Sequence, residues 1–158
     1  MFRSVTKKKN EISIERCLSL LSRERRATLA VNGEEGYPYS IPINYVFLQK
    51  ENQIAFHSSK KGSKVDCLRK SDKVCLTVFG NETIKQEDWA PFMESVVVFG
   101  KCHLANDERE KYYLFEQFAY KYYPDKQLAK QEIEKAGQFA DIYVIEIEHI
   151  SGKEIQEK

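Results

Sequence analysis

Apolar and polar positions alternate from Tyr37 onward. Tyr37, Tyr39, Ile41, Ile43, Tyr45 and Phe47 share one face of an extended segment. Glu51-Asn52 turns the chain, and Gln53 to His57 reads as the next strand. Pro38 and Pro42 fall on the opposite face of the long strand. Proline donates nothing to a ladder, so this strand is expected at a sheet edge or in a bulge, where exposed backbone can receive a ligand. Further strands are predicted over 27–31, 74–79, 92–104 with its apolar centre Val96 to Phe99, and 142–147.

Helical spacing appears in four places. Ile14, Cys17, Leu18 and Leu21 repeat at i, i+3, i+4, i+7 behind a capping Ser13, and Arg23 to Arg26 place positive charge at the C-terminal end. Ser63-x-x-Asp66 resembles a capping box and predicts a short helix over 64–70. Asp107 caps a helix on which Tyr112, Phe115, Ala119 and Tyr122 share a face, broken at Pro124, and another helix spans about 127–136 and ends at Gly137. Residues 80–91, with the only tryptophan, Trp89, read as a polar loop. Six strands joined mostly by short turns, with three or four helices, predict an α+β fold. Its mainly antiparallel sheet is closed toward a barrel, with helices outside.

Length changes this picture little. A chain of 158 residues is expected to form one domain, here 12–153, between a loose basic arm at 1–11 and a charged tail at 154–158. With 25 basic and 24 acidic residues the net charge is +1, which argues against nucleic-acid binding as the main task. Lys7-Lys8-Lys9 and Tyr120 to Tyr123 accordingly read as a solvated arm and a packed helix end. Cys17, Cys67, Cys75 and Cys102 form no C-x-x-C pair, and the first, second and fourth lie in apolar segments, as buried thiols of a reducing compartment do. Met1 to Asn10 lacks the apolar centre of a signal peptide, and no apolar run approaches the ~20 residues of a membrane span. A cytoplasmic protein is expected.

The candidate chemistry concentrates at Phe56-His57-Ser58-Ser59-Lys60-Lys61-Gly62-Ser63-Lys64, where a strand passes into a helix. Hydroxyls from Ser58 and Ser63, charge from Lys64, a glycine and fresh helix N–H groups suit a phosphate or carboxylate. The plainer alternative is a solvated basic turn before a capped helix. The segment is not a P-loop, because G-x-x-x-x-G-K-[ST] is absent. Pro42-Ile43-Asn44-Tyr45 is either a ring-facing strand, offering backbone groups to a heterocycle, or an ordinary core strand. Trp89 either stacks on a ligand or covers the core. His57, His103 and His149 show no metal-ligand spacing, and no G-x-S-x-G or local Cys–His pair marks a hydrolase or thiol enzyme.

Taken in order, these motifs resemble the pyridoxamine-phosphate-oxidase-like FMN-binding split-barrel superfamily, and within it the nitroimidazole-resistance branch. The residues that carry the resemblance are Tyr39 to Tyr45, Ile54 to Ser59 with Gly62 and Lys64, and Leu68 to Cys75. Ser95 to Gly100 and Ile147 to Lys153 complete the set. The resemblance implies a six-stranded split barrel, a homodimer and FMN at the dimer interface. His57, Ser58, Ser63 and Lys64 would then hold the phosphate, Pro42, Ile43, Asn44 and Tyr45 would line the isoalloxazine edge, and Ser95 and Val96 would approach from the partner. It also implies an NAD(P)H donor and a small electron acceptor such as a nitroaromatic, with no side chain assigned as acid or base. The vitamin B6 oxidases of the superfamily carry arginines in the ring-facing strand, the phosphate loop and a C-terminal substrate motif. This chain has Tyr39 or neutral residues, Ser63, and Ile150-Ser151-Gly152-Lys153 there, which argues against B6 oxidation. Two other readings stay open: a flavin-binding sensor without turnover, and a haem-binding split barrel with His57, His103 or His149 as axial ligand.

Overall fold

The structure, a computed structural model, describes residues 2–85, 90–123 and 125–156. Trp89 and Pro124 lie outside the described residues. The chain runs α1 (Ile14–Arg23), β1 (Arg26–Asn32), β2 (Pro38–Asn44), β3 (Val46–Leu48), β4 (Gln53–Ser59), α2 (Ser63–Lys70) and β5 (Lys73–Lys85). It continues through β6 (Ala90–Leu104), α3 (Glu108–Tyr122), α4 (Lys126–Ala136) and β7 (Ala140–Gln156). The fold is α+β. All strands pair antiparallel in one sheet of order β2-β1-β5-β6-β7-β4-β3.

Seven strands replace the expected six, because the long alternating run breaks at Tyr45 into β2 and β3. The break makes the topology. The two outermost strands of the sheet are consecutive in the chain, so the sheet curls back on itself and β2 comes up beside β4 without a ladder between them. The barrel is therefore closed at Tyr45 by a covalent link and left open along the gap between β2 and β4.

Inside the curl lie Leu29, Ile43, Ile54, Phe56, Leu76, Val78, Val96, Val98 and Ile145, from alternate positions of their strands, together with Tyr45 at the break. Helix α1, capped by the Ser13 hydroxyl accepting from the Arg16 N–H, adds Cys17, Leu20 and Leu21 to this core. Its expected face is shifted, since Ile14 is half exposed and Leu20 is buried. Gly152 sits where α1 crosses the sheet, and a side chain there would strike Cys17 Sγ and Ile12. Arg16 of α1 also pairs with the buried Glu94 and with Glu154, 3.0 Å away.

A second cluster covers the outer face of β3, β4 and β7. Val46, Leu48, Ala55, Ile142 and Val144 meet Leu114 and Phe118 of α3. Helix α3 starts at Asp107, which accepts from the Glu110 N–H as expected, but its buried face is Leu114, Phe118 and Ala119, and Tyr112 is exposed. Two further expectations are corrected. The polar loop at 80–91 is largely strand, with β5 reaching Lys85 and β6 starting at Ala90. The last strand does not stop near Ile147: β7 runs to Gln156, held by β6 through a register shift at Phe99/Gly100. At the N-terminal end, Glu11 bridges Lys153 and the Ile12 N–H donates to Gly152 O.

Candidate functional site

The gap between β2 and β4 is a cleft of about 390 Å³. Tyr39 and Ile41 of β2 form one wall, His57, Ser58 and Ser59 at the end of β4 the other, and Lys61 to Val65 the floor. The floor is built by a tight turn. The Ser59 hydroxyl donates to Lys61 O at 2.7 Å, and Gly62 takes φ +125°, a conformation that a side chain strains. Helix α2 then begins at Ser63, with Gly62 as its cap. The expectation that Ser63 caps the helix is corrected. No side chain caps α2, so its first N–H groups and the Ser63 hydroxyl remain available to the cleft.

Lys64 is half buried. Its ammonium lies 5.3 Å from the centre of the Phe56 ring, and burial lowers its pKa. Among the described residues no carboxylate pairs with it. Ser58 is buried at the rim of the barrel interior and has no protein hydrogen-bond partner among the described contacts. An incoming phosphate would give each of these groups a charged partner. His57 points the other way along the pleat. Its ring meets Phe118 edge-on at 4.8 Å, and burial together with the Lys64 charge lowers its pKa. It also borders a separate apolar pocket of about 140 Å³, walled by Phe115, Ala119, Ile133 and Gly137.

The structure thus brings His57, Ser58, Ser63 and Lys64 to one cleft. Pro42, Ile43, Asn44 and Tyr45 do not line it. Ile43 and Tyr45 are buried in the core, Pro42 lies opposite Thr28 in the ladder, and Asn44 ends β2 opposite Arg26. Tyr45 is fully committed to the protein. Its hydroxyl donates to Leu21 O at 2.7 Å, its N–H donates to Tyr122 Oη at 2.9 Å, and Lys121 Nζ sits 3.9 Å above its ring. Ser95 and Val96 lie on β6, away from the cleft. Val96 is in the barrel core, and the Ser95 hydroxyl reaches Lys153 O at 3.5 Å. Beside Ser95, the outer face of β5 and β6 carries Phe79 and Phe99, 55% and 37% exposed.

Sequence reasoning missed Tyr39 and Ile41 as cleft residues because their alternation placed them with the core face. The available signal was Pro38 and Pro42, which bracket them on an edge strand. Thiolate chemistry is disfavoured by environment. Burial pushes the Cys17 thiol up to about 11 and Cys102 up to about 12, so neither is a thiolate near neutrality. His103 has both ring nitrogens engaged, by Leu104 O at 2.8 Å and Glu146 at 3.2 Å, whereas the His149 ring stacks on Phe2 at 5.0 Å, which stacks in turn on Phe99, and its buried Nε2 has no hydrogen-bond partner among the described residues. Among the described residues, no three His, Cys, Asp or Glu side chains are placed to hold a metal, and no helix is long and apolar enough to cross a membrane.

The family model of pyridoxamine 5'-phosphate oxidase matches residues 13–154. No curated protein sequence matches. Among solved structures, a protein provisionally assigned to 5-nitroimidazole antibiotic resistance, from Bacteroides thetaiotaomicron, superposes with TM-score 0.78 at 19% identity, over 92% of this chain and 87% of that one. The flavocytochrome Anf3 of Azotobacter vinelandii gives TM-score 0.74 at 19% identity, over 94% and 71%. The FAD-binding protein of Mycobacterium smegmatis gives 0.69 at 14% identity, over 94% and 99%. At these identities the likeness is one of fold.

Proposed function

The chain belongs to the pyridoxamine 5'-phosphate oxidase family, and we propose that it is a flavin-binding oxidoreductase, holding a flavin by its phosphate, FMN in the simplest case. The observation that carries this reading is the uncapped start of α2 at the mouth of the β2–β4 gap. Among the described residues, the Ser63 hydroxyl, the half-buried Lys64 ammonium and the Ser58 hydroxyl have no protein acceptor there. That donor set matches a phosphate dianion in charge and in hydrogen-bonding sense. When bound, a flavin supplies hydride and single-electron transfer, and the protein's part is to bind, orient and shield it.

Flavin-binding and nitroimidazole-resistance proteins of the same fold support the assignment to redox chemistry. The reading extends to a nicotinamide donor, a small acceptor such as a nitroaromatic, and a cytoplasmic homodimer. Support for the dimer is the exposed apolar face at Phe79 and Phe99, next to Ser95. Vitamin B6 oxidation is not part of the proposal. The segment Ile150 to Lys153 is central in β7, with Gly152 packed under α1, and carries no arginine.

The test of turnover is anaerobic addition of NADH or NADPH to flavin-loaded protein, followed by a nitroaromatic. Bleaching of the flavin by the donor and its return with the acceptor is expected. A bound flavin that neither donor reduces would leave a flavin-binding module without turnover.

A further inference from the structure

The apolar pocket beyond His57 takes no part in the phosphate cradle, and its walls call for a different ligand. Three elements build it. Phe115, Phe118 and Ala119 come from α3, Ile133 from α4 and Ala140 from the start of β7. The space exists because the chain puts little bulk there. Ala119, Gly137 and Ala140 each leave part of the wall without a long side chain. His57 lines both this pocket and the cradle, and its ring meets Phe118 edge-on. Tyr123 and Glu132 of the wall are exposed, so the pocket opens to solvent.

Size sets the first limit on an occupant. The volume is about 140 Å³. A dry apolar cavity on the order of 150 Å³ holds one benzene ring. A single ring therefore fits, and the three fused rings of a flavin do not. The Phe115 and Phe118 rings give such an occupant aromatic contact.

Polarity sets the second limit. Glu132 and His57 are the ionisable groups of the wall besides the Tyr123 phenol. Among the described residues, neither side chain makes a hydrogen bond or an ion pair. A carboxylate only accepts hydrogen bonds. Burial and the Lys64 charge lower the His57 pKa, which favours the neutral ring with one accepting nitrogen. The pocket thus offers two acceptors, and its occupant has to donate. A carboxylate or a nitro group brings no donor, and Glu132 repels the first of these.

We propose that this pocket binds a small aromatic amine, its single ring against Phe115 and Phe118 and its N–H groups donating to Glu132 and His57. The site is separate from the cradle, and the inference does not depend on the flavin reading.

The test is titration of the full chain with aniline, toluene and benzoate, read by calorimetry and by the NMR signals of the His57 ring. Aniline is expected to bind about tenfold tighter than toluene and to shift the His57 signals, and benzoate is expected not to bind. Glu132→Ala, at an exposed helical position, is expected to bring aniline down to the affinity of toluene. Ala119→Leu and Ala140→Leu each fill the pocket and are expected to abolish binding of both rings, with folding checked by circular dichroism. Ala140 begins a strand and is only partly buried, so its variant decides the matter should Ala119→Leu fail to fold. Aniline binding that survives Ala140→Leu, equal affinity for aniline and toluene, or His57 signals that aniline does not move would overturn the inference.

Discussion

The two ends of β2 meet the same topological problem and treat it differently. At Tyr45 the strand leaves one edge of the sheet and becomes the other, and every polar group there is answered by protein. The Tyr45 N–H, C=O and hydroxyl reach Tyr122 Oη, at 2.9 and 2.8 Å, and Leu21 O at 2.7 Å, while Tyr122 Oη also lies 2.7 Å from Arg25 O. At the other end β2 parts from β4, and among the described residues the donors of α2, Ser63, Ser58 and Lys64 are left without protein acceptors. Buried polar groups that are fully satisfied hold a fold in one shape. Donors gathered at an opening and left unsatisfied point to a ligand that satisfies them. The first end is a seam, and the second is a site.

The largest expected effect lies at the seam. Tyr45→Ala removes a fully buried ring and its hydroxyl bond, and is expected to cost about 3–5 kcal/mol in a denaturant titration. Next, Tyr122→Phe deprives the Tyr45 N–H of its acceptor and is expected to cost about 1–3 kcal/mol by the same measurement. In both variants the molecules that remain folded should bind flavin with unchanged affinity.

At the site the pattern should invert. Lys64→Met removes a desolvated cation that has no carboxylate partner among the described residues, so the thermal midpoint should hold or rise. Flavin affinity should fall about tenfold or more, measured by fluorescence titration. A parallel loss of stability and binding in all three variants would dissolve the distinction between seam and site.

The smallest effect is a pH dependence at the seam. Burial lowers the Lys121 ammonium from the usual 10.5 to about 8, despite the Glu24 carbonyl 2.6 Å away. Between those values the unfolded chain holds a proton that the folded protein has released. Stability should therefore rise with pH from about 8 toward 10. The rise should be absent in Lys121→Met, as urea midpoints across that range would show.

These contrasts also explain what was legible in the sequence. Alternation located the strands, because residues such as Leu29, Leu76 and Ile145 face one packed interior. The Ser13 and Asp107 caps were readable because they act within one turn. The break at Tyr45 was not, since Ile43, Tyr45 and Phe47 keep their period while Val46 and Leu48 are buried from the other side by α3. Apolar patterning cannot register a strand that is covered on both faces. The length of β7 was hidden for a related reason: Ser151 and Gly152 interrupt the apolar alternation after Ile147, and only the ladder with β6 makes them strand. For the site, the phosphate-binding segment was visible as a contiguous run. Its opposite wall was not, because Tyr39 and Ile41 face His57 and Ser58 only after the sheet has curled.

The most direct test of the account is the visible spectrum of the protein after loading with FMN or FAD and gel filtration, taken on the wild type, Lys64→Met and Tyr122→Phe. The account predicts a retained two-band flavin spectrum in the wild type and Tyr122→Phe, and a spectrum largely lost in Lys64→Met. No flavin on the wild type, or equal retention by Lys64→Met, would contradict it, and the start of α2 would then be a solvated turn.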